Sequence, residues 1–160
     1  MPKSLEAESE ARARVVAAAR AWLGTPYHHA ADLHGVGVDC AMILVRVFCD
    51  LGLVPPFDPR PYVKDWMLHR GEERYLGFLI DRAREIDPST GSGPEPGDVM
   101  LFRIGRCYAH GGIVSRVEPL TIIHAFAPAG KVVEDEVRRA AQLGERLSDA
   151  RFFSLRGLDP

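Results

Sequence analysis

Residues 35–48 read GVGVDCAMILVRVF and place a polar pair, Asp39-Cys40, where a glycine-rich loop meets an apolar run. From Cys40 to Leu51 the apolar residues recur at the spacing of one helical face, at positions 40, 43, 44, 47, 48 and 51. Gly52 and the following Pro55-Pro56 are typical of a helix end. The pattern therefore predicts a buried central helix with Cys40 at its N-terminus.

A cysteine at this position is suited to nucleophilic chemistry. The positive end of the helix dipole and the free backbone N–H groups favour the thiolate, and the same N–H groups can bind an oxyanion that forms beside the sulfur. Asp39 precedes the thiol, so we group it with the residues expected to contact the substrate or the oxyanion. The alternative is that Cys40 is a small buried hydrophobic residue. Because Cys49 and Cys107 are the only other cysteines, we do not expect a disulfide framework.

The chain has 160 residues, of which 46% are hydrophobic and 26% charged, and its net charge is −2. This composition is typical of one globular domain, which we expect to span residues 1–160. The charge leaves no basic field for nucleic acid, and no run reaches the ~18 apolar residues of a membrane helix. The first residues, MPKSLEAESEARAR, lack the apolar segment of a signal peptide. We therefore expect synthesis in the cytoplasm, with neither nucleic-acid binding nor membrane insertion.

The two halves of the chain differ in their hydrophobic period. Ser4 can cap a first helix, the Cys40 helix follows, and a third helical region is predicted from about Tyr62 to Glu85, with a break at Gly71. The later segments are short and β-branched, and they are separated by Gly and Pro: DVMLFRI, HGGIVSRV, LTIIHAF, KVVED and ARFFSLRG. The order predicts an α+β fold with helices packed on one side of a C-terminal antiparallel sheet.

Two of the six histidines, His110 and His124, lie in segments that otherwise have the composition of core strands. A buried imidazole needs a polar partner, and each of the two could simply be a satisfied core residue. Two such residues on one hairpin, together with a cysteine at a helix N-terminus, are typical of a nucleophile, a general base and an orienting third group.

This interpretation depends on the strand register. A two-residue turn at Glu118-Pro119 would place His110 and His124 on opposite faces of the sheet, because side chains alternate along a strand. An odd loop or a bulge within residues 115–120 would instead place them in diagonal positions on one face, which must be the face towards Cys40 if the three residues are to cooperate. The catalytic interpretation therefore predicts such an irregularity.

Metal binding is an alternative for the same residues. Cys107 and His110 have ligand-like spacing and could form a zinc site with Cys40 and His124. A second possible cluster comprises His28, His29 and Asp32. The spacings match no common zinc pattern, so we predict neither a metal nor an organic cofactor.

Several motifs resemble those of the NlpC-type papain-like cell-wall peptidases, and they occur in the same order and spacing. They are WLGTPYHH, GVDCA, PGDVMLF, HGGIV and IIHA, and the resemblance extends from Trp22 to about Phe153. It is closest to the branch found in phage tails and gene-transfer-agent particles, in which GTPY, GVGVDC, DWMLHRGEERYL and PGDVMLF recur. The resemblance implies a papain-like fold.

The resemblance also implies roles for individual residues. Cys40 matches the nucleophile at the start of the central helix, His110 the general base on a core strand, and His124 the polar residue that orients the base. Tyr27 matches a tyrosine beside the nucleophile that helps to polarise the substrate carbonyl. The implied reaction is hydrolysis of peptide bonds in peptidoglycan stem peptides, without metal or cofactor.

A role in a particle is implied as well. A phage tail or phage-like particle would deliver the chain to the host cell wall, and other tail or baseplate proteins would be its partners. Ala41-Met42 stand where family members commonly have Ser-Gly, the serine of which helps to hold the amino end of the substrate. Two alternatives remain: a mainly structural tail component, or an amidase or acyltransferase that uses the same trio.

Overall fold

The computed structural model describes residues 4–63 and 74–159. In these residues the chain forms three α-helices, α1 (Leu5–Arg20), α2 (Met42–Asp50) and α3 (Arg74–Ile80). The eight strands are β1 (Asp32–Leu33), β2 (Gly37–Val38), β3 (Ala83–Ile86), β4 (Val99–Ile104), β5 (Cys107–Arg116), β6 (Thr121–Phe126), β7 (Lys131–Glu136) and β8 (Arg151–Leu155). The predicted α+β class is confirmed. The predicted break at Gly71 and most of the DWMLHRGEERYL motif fall outside the described residues.

The sheet has six strands in the order β3-β8-β4-β5-β6-β7, and all of its neighbouring strands are antiparallel. The predicted meander corresponds to β4 through β7, and the predicted last strand is β8. After β7 the chain crosses back to pair β8 with β4, so the sheet is not a simple meander along its whole width.

Two parts of the helix and loop prediction are wrong. The third helical region was predicted to extend to about Glu85, but its last three residues belong to the edge strand β3 (Ala83–Ile86), which pairs with β8. The loop before Cys40 contains a short hairpin of β1 and β2. Both segments owe their conformation to pairing with strands rather than to their own hydrophobic period, which is why periodicity did not find them.

Apolar side chains form a core on each face of the sheet. The larger core packs α1, α2 and α3 against one face, and Val15, Ile43 and Ile113 are fully buried in it. The second core covers the opposite face and includes Phe102 and Phe126 together with Leu143 from the segment between β7 and β8. The predicted helical layer is therefore correct for one face, whereas the segment between β7 and β8, which contains the 3₁₀-helix Gly144–Asp149, covers part of the other.

The predicted irregularity in the β5–β6 hairpin is confirmed. Val114 pairs with Ile122, whereas Arg116 pairs with Thr121, so Ser115 is an extra residue on β5. This is a β-bulge, which shifts the register of the strand on either side of it.

The bulge brings the two strand histidines onto one face. A Cβ placed on Gly112 would lie 3.1 Å from Cβ of His124, so Gly112 is the residue that opposes His124. His110 is two residues from Gly112 along β5, on the same face and in the diagonal position. The absence of a side chain at Gly112 leaves room for His124.

A buried ion pair joins α1 to the loop that precedes β4. Nη1 of Arg12 lies 2.7 Å from Oδ1 of Asp98, and the two residues are 7% and 0% exposed. The Arg12 guanidinium also donates to the carbonyl of Pro96 and to the hydroxyl of Ser154. Asp98, the acid of the PGD motif, therefore holds the first helix against the sheet.

Replacing Asp98 with alanine should lower the free energy of unfolding by about 3 kcal/mol, the lower end of the range for breaking a buried ion pair, because Glu8 and Glu95 still lie 3.1 and 3.5 Å from the Arg12 guanidinium. Urea unfolding of the two proteins measures the difference. The matched control is Asp50→Ala, which removes an exposed i,i+4 partner of Arg46 and should cost only about 0–1 kcal/mol. Equal losses of unfolding free energy in both variants would show that the Asp98–Arg12 ion pair stabilises the fold no more than the exposed pair does.

Candidate active site

Asp39 caps the helix that carries the candidate nucleophile. Its Oδ1 accepts hydrogen bonds from the N–H groups of Ala41 (3.1 Å) and Met42 (2.8 Å). Its Oδ2 accepts from the N–H of Ala30 and from the hydroxyl of Tyr62. Both carboxylate oxygens of this buried residue are therefore engaged by the protein. Asp39 fixes the loop-to-helix junction, and the N–H groups of Ala41 and Met42 are no longer free for an oxyanion.

The thiol of Cys40 lies two residues before the first residue of α2, against the main chain of β5. Its Sγ is 3.8 Å from the carbonyl oxygen of Ala109, and the hydroxyl of Tyr27 also hydrogen-bonds to it. On the other side of the residue, the carbonyl of Cys40 accepts a 2.6 Å hydrogen bond from the buried hydroxyl of Tyr75. The thiol is thus held between a helix, a tyrosine and a strand.

The surroundings of the thiol raise its pKa. Burial is the largest cause, the charge of Asp39 is the second, and together they raise the pKa of Cys40 to about 12. The Tyr27 hydroxyl and the N–H groups of Cys40 and Gly111 act in the opposite direction but are weaker. The expectation of a thiolate at Cys40 is therefore wrong for the resting structure, because burial and the Asp39 charge outweigh the groups that favour the thiolate.

Alkylation of Cys40 should consequently be slow at neutral pH and should rise about tenfold per pH unit towards its pKa of about 12, because only the thiolate reacts. Timed labelling with iodoacetamide, followed by peptide mass spectrometry, measures this profile for the free protein. A labelling rate that is already maximal near pH 6 would show that Cys40 is a thiolate in the resting site.

His110 and His124 form a hydrogen-bonded pair that continues to a carboxylate. Nε2 of His110 lies 2.8 Å from Nδ1 of His124, and Nε2 of His124 lies 2.9 Å from Oδ2 of Asp135. Burial lowers the pKa of His124 to about 4, and burial together with His124 lowers the pKa of His110 well below its usual value. Both imidazoles are therefore neutral at neutral pH.

The two imidazoles lie on the face of the sheet opposite the thiol: the neighbouring Gly111 faces Leu44 of α2, so His110 points to the second core. The prediction that the shared face of the two histidines points towards Cys40 is therefore wrong. Cys40 contacts the main chain of β5 at Ala109 and Gly111, the two neighbours of His110. The ring of His110 packs with Phe102 and Phe126 of the second core, at centroid distances of 6.0 and 5.6 Å. Within residues 4–63 and 74–159, no hydrogen bond joins the thiol to either imidazole.

A pocket of about 360 Å³ opens beside the thiol and extends along α2. Tyr27, Asp39 and Cys40 lie at one end, and apolar side chains of α2 and α3, including Leu44, line its length. Arg82 lies at the other end, where its guanidinium is 3.8 Å from the centroid of the Phe57 ring. The site therefore combines a few polar groups at the nucleophile with a largely apolar wall.

Sequence reasoning missed three residues of this site: Tyr62, Tyr75 and Asp135. Tyr62 bonds to the cap Asp39, Tyr75 to the Cys40 carbonyl, and Asp135 to His124. Only Asp135 left a signal, because it lies in the predicted strand KVVED, which follows the strand of His124. The tyrosines lie in or beside a segment whose spacing indicated only a helix.

The arrangements considered for metal binding are not assembled in the structure. Among the described residues, no group of three or more His, Cys, Asp or Glu side chains converges in a way that could hold a metal ion. His29 instead bonds through Nε2 to the carbonyl of Tyr62, and Asp32 pairs with Arg60. In the same parts of the chain, no helix has the length and apolar character needed to cross a membrane.

Comparison with known proteins rests on the fold. No protein-family profile and no curated protein sequence matches the chain significantly. The NlpC/p60 domain of the peptidoglycan hydrolase SagA superposes with a TM-score of 0.58 at 20% identity, over 89% of this chain and 96% of that domain. An N-acetylmuramoyl-L-alanine amidase from Bacteroides uniformis gives a TM-score of 0.60 at 13% identity, over 91% and 99%.

The peptidoglycan hydrolase RipB from Mycobacterium tuberculosis is also similar, with a TM-score of 0.58 at 19% identity. The matched part covers 86% of this chain but only 64% of RipB. At these identities the similarity establishes the architecture. The chain therefore has the papain-like fold of NlpC/p60 domains, with a cysteine at the start of the central helix and a histidine pair on the adjacent sheet.

Proposed function

We propose that the chain is a cysteine hydrolase of the NlpC type that cleaves peptide bonds in the stem peptides of peptidoglycan. The observation that carries the proposal is the joint placement of a helix-N-terminal thiol and a histidine pair on one strand hairpin. Cys40 lies against the main chain that flanks His110, and His110 is bonded to His124. The fold is shared with proteins described as peptidoglycan hydrolases and as an amidase.

The proposed reaction is acyl transfer through the sulfur. Because His110 points to the second core, the reaction requires a rearrangement of β5 that brings Nδ1 of His110 to the thiol. The thiol then transfers its proton to that nitrogen, and the thiolate attacks the substrate carbonyl. Catalytic hydrogen bonds of this kind often form only when substrate is bound. The hydroxyl of Tyr27 and the N–H of Cys40 stabilise the oxyanion. His110 then protonates the leaving amine, and water releases the acyl group.

The resting pKa values oppose proton transfer from Cys40 to His110, because burial raises the pKa of the thiol to about 12 and lowers the pKa of the imidazole. Substrate binding must therefore change the surroundings of both groups before the proton moves. The site would therefore act as a general-base pair rather than as a preformed thiolate–imidazolium pair.

The test is incubation of the purified protein with isolated sacculi and with defined stem peptides. Mass analysis of the products then identifies the bond that is cut. We expect new amino and carboxyl termini within the stem peptide and no release with the Cys40→Ala variant. Products formed equally by the variant, or no products from any peptide, would contradict the proposal.

The pocket supports a second candidate from the same reaction class. Its apolar wall along α2 favours a substrate with an apolar group next to the scissile carbonyl. An amidase or acyltransferase acting through Cys40, His110 and His124 would use this wall. Turnover of amides or thioesters that carry an apolar acyl chain, without cleavage of stem peptides, would favour it.

We further propose that the chain works in a phage tail or phage-like particle that carries it to the host cell wall. The support is the set of sequence motifs shared with that branch, among them GVGVDC and PGDVMLF. Expression of the lone chain in a bacterial cytoplasm should then be harmless, whereas fusion to an export signal should damage the wall. Lysis by the cytoplasmic form alone would count against delivery by a particle.

A further inference from the structure

Asp135 occupies a defined place relative to the histidine pair. On β7, Val133 is the residue that pairs with His124, and Asp135 lies two residues further along the same strand. Residues two apart on a strand point to the same face, so Asp135 reaches His124 along the diagonal. The contact is a hydrogen bond of 2.9 Å to a side chain that is itself 0% exposed.

The chemistry of the carboxylate determines which nitrogen carries each proton. An ionised carboxylate only accepts hydrogen bonds, so Nε2 of His124 must bear the hydrogen that joins it to Asp135. Nδ1 of the same neutral ring is then a lone-pair acceptor. Because Nδ1 of His124 lies 2.8 Å from Nε2 of His110, Nε2 of His110 must bear the hydrogen of that second bond. Nδ1 of His110 is left as a lone pair.

We infer that Asp135 is a positioning residue that fixes the tautomers of both imidazoles and leaves Nδ1 of His110 as the nitrogen able to accept a proton. The assignment of tautomers stands on the two hydrogen bonds alone. Its consequence for catalysis rests on the proposed function.

Without the Asp135 carboxylate, neither of the two tautomeric arrangements of His110 and His124 is favoured. A neutral His124 could equally carry its hydrogen on Nδ1 and donate it to Nε2 of His110. His110 would then carry its own hydrogen on Nδ1 and could not act as a base through that nitrogen. Asp135 therefore selects the competent one of two hydrogen-bonded arrangements that share the same heavy-atom positions.

Long-range ¹H–¹⁵N correlation spectra of ¹⁵N-histidine-labelled protein test the inference, because protonated and unprotonated ring nitrogens resonate in separate regions. We expect both His110 and His124 to carry their hydrogen on Nε2 in the unaltered protein. A hydrogen on Nδ1 of His124 would overturn the inference, and this readout needs no variant and no substrate.

Variants test whether Asp135 is the cause. Asp135→Ala, and the isosteric Asp135→Asn, whose amide can donate to Nε2, should both shift His124 towards the Nδ1–H tautomer. The matched control is Glu134→Gln, which removes the adjacent carboxylate that pairs with Arg20 and should leave the tautomers unchanged. An unchanged His124 tautomer in both Asp135 variants would overturn the inference.

Kinetics separate this inference from the proposed function. If stem peptides are cleaved, Asp135→Ala should lower kcat by about 10–100-fold with little change in KM, as expected for loss of a group that orients a catalytic residue, and Asp135→Glu should restore part of the loss. If no peptide is cleaved, the proposed function fails while the tautomer assignment stands or falls on the spectra.

Discussion

Replacing Cys40 with alanine should abolish hydrolysis of peptidoglycan while leaving the fold intact. The Cys40 sulfur is the proposed nucleophile, and loss of the nucleophile from a hydrolytic triad typically costs about 10⁶-fold in turnover. The structural cost should be small, because the substitution removes a single sulfur atom and Asp39 continues to cap α2. Release of muropeptides from sacculi, together with the far-UV spectrum and thermal unfolding, measures both effects.

Cys49→Ala provides the matched control, since it is the same substitution on the same helix. The Cys49 thiol lies at the far end of α2, where it contacts the carbonyl of Pro55 at 3.8 Å, and it also lines the pocket. Turnover should therefore change little. Comparable activity losses in both variants would indicate that the pocket shape, rather than the Cys40 sulfur, limits the reaction.

The parts of the site that could be predicted from sequence are those governed by periodicity. The apolar spacing after Cys40 located α2, and the alternation around His110 and His124 located their strands. The requirement that the two histidines share a face then predicted an irregularity between them, and the bulge at Ser115 provides it. In each case a local pattern and one geometric rule were sufficient.

The parts that could not be predicted depend on contacts between distant segments. The sequence places Asp39 beside Cys40, but it does not show that Tyr62 and the N–H of Ala30 occupy its carboxylate. The hydrogen bond from Tyr75 to the Cys40 carbonyl cannot be predicted from sequence either, because it joins α3 to the residues just before α2. Such contacts are fixed by how elements pack, and that information is not local.

The pKa of the Cys40 thiol also depends on contacts that the sequence does not show. Position at a helix N-terminus is a local property that lowers a thiol pKa, and it can be read from sequence. Desolvation by burial depends on how distant segments pack, and it is the largest effect at Cys40. The local pattern therefore predicted a lowered pKa for this thiol, whereas its surroundings raise that pKa.

Replacing His110 with alanine should lower kcat by at least about 10²–10⁴-fold, the usual contribution of a general base. The base is needed here because the thiol pKa of about 12 leaves almost no thiolate at neutral pH. Steady-state cleavage of a defined stem peptide measures the effect. His34→Ala is the control: His34 is exposed, its Nε2 bonds to the Ala21 carbonyl, and its loss should leave kcat unchanged.

The effect of His124→Ala, compared with that of His110→Ala, shows which of the two histidines is the general base. His124 contacts the base rather than the thiol, and water can partly replace its hydrogen bond to His110, so its loss should cost less than that of His110. His124 is fully buried, however, and its removal opens a cavity beside Phe126, so unfolding free energies must be measured alongside the rates. A larger loss of kcat in His124→Ala than in His110→Ala, at equal stability, would mean that His124 is the base. Asp135, which bonds to His124 directly, would then be the group that orients the base itself.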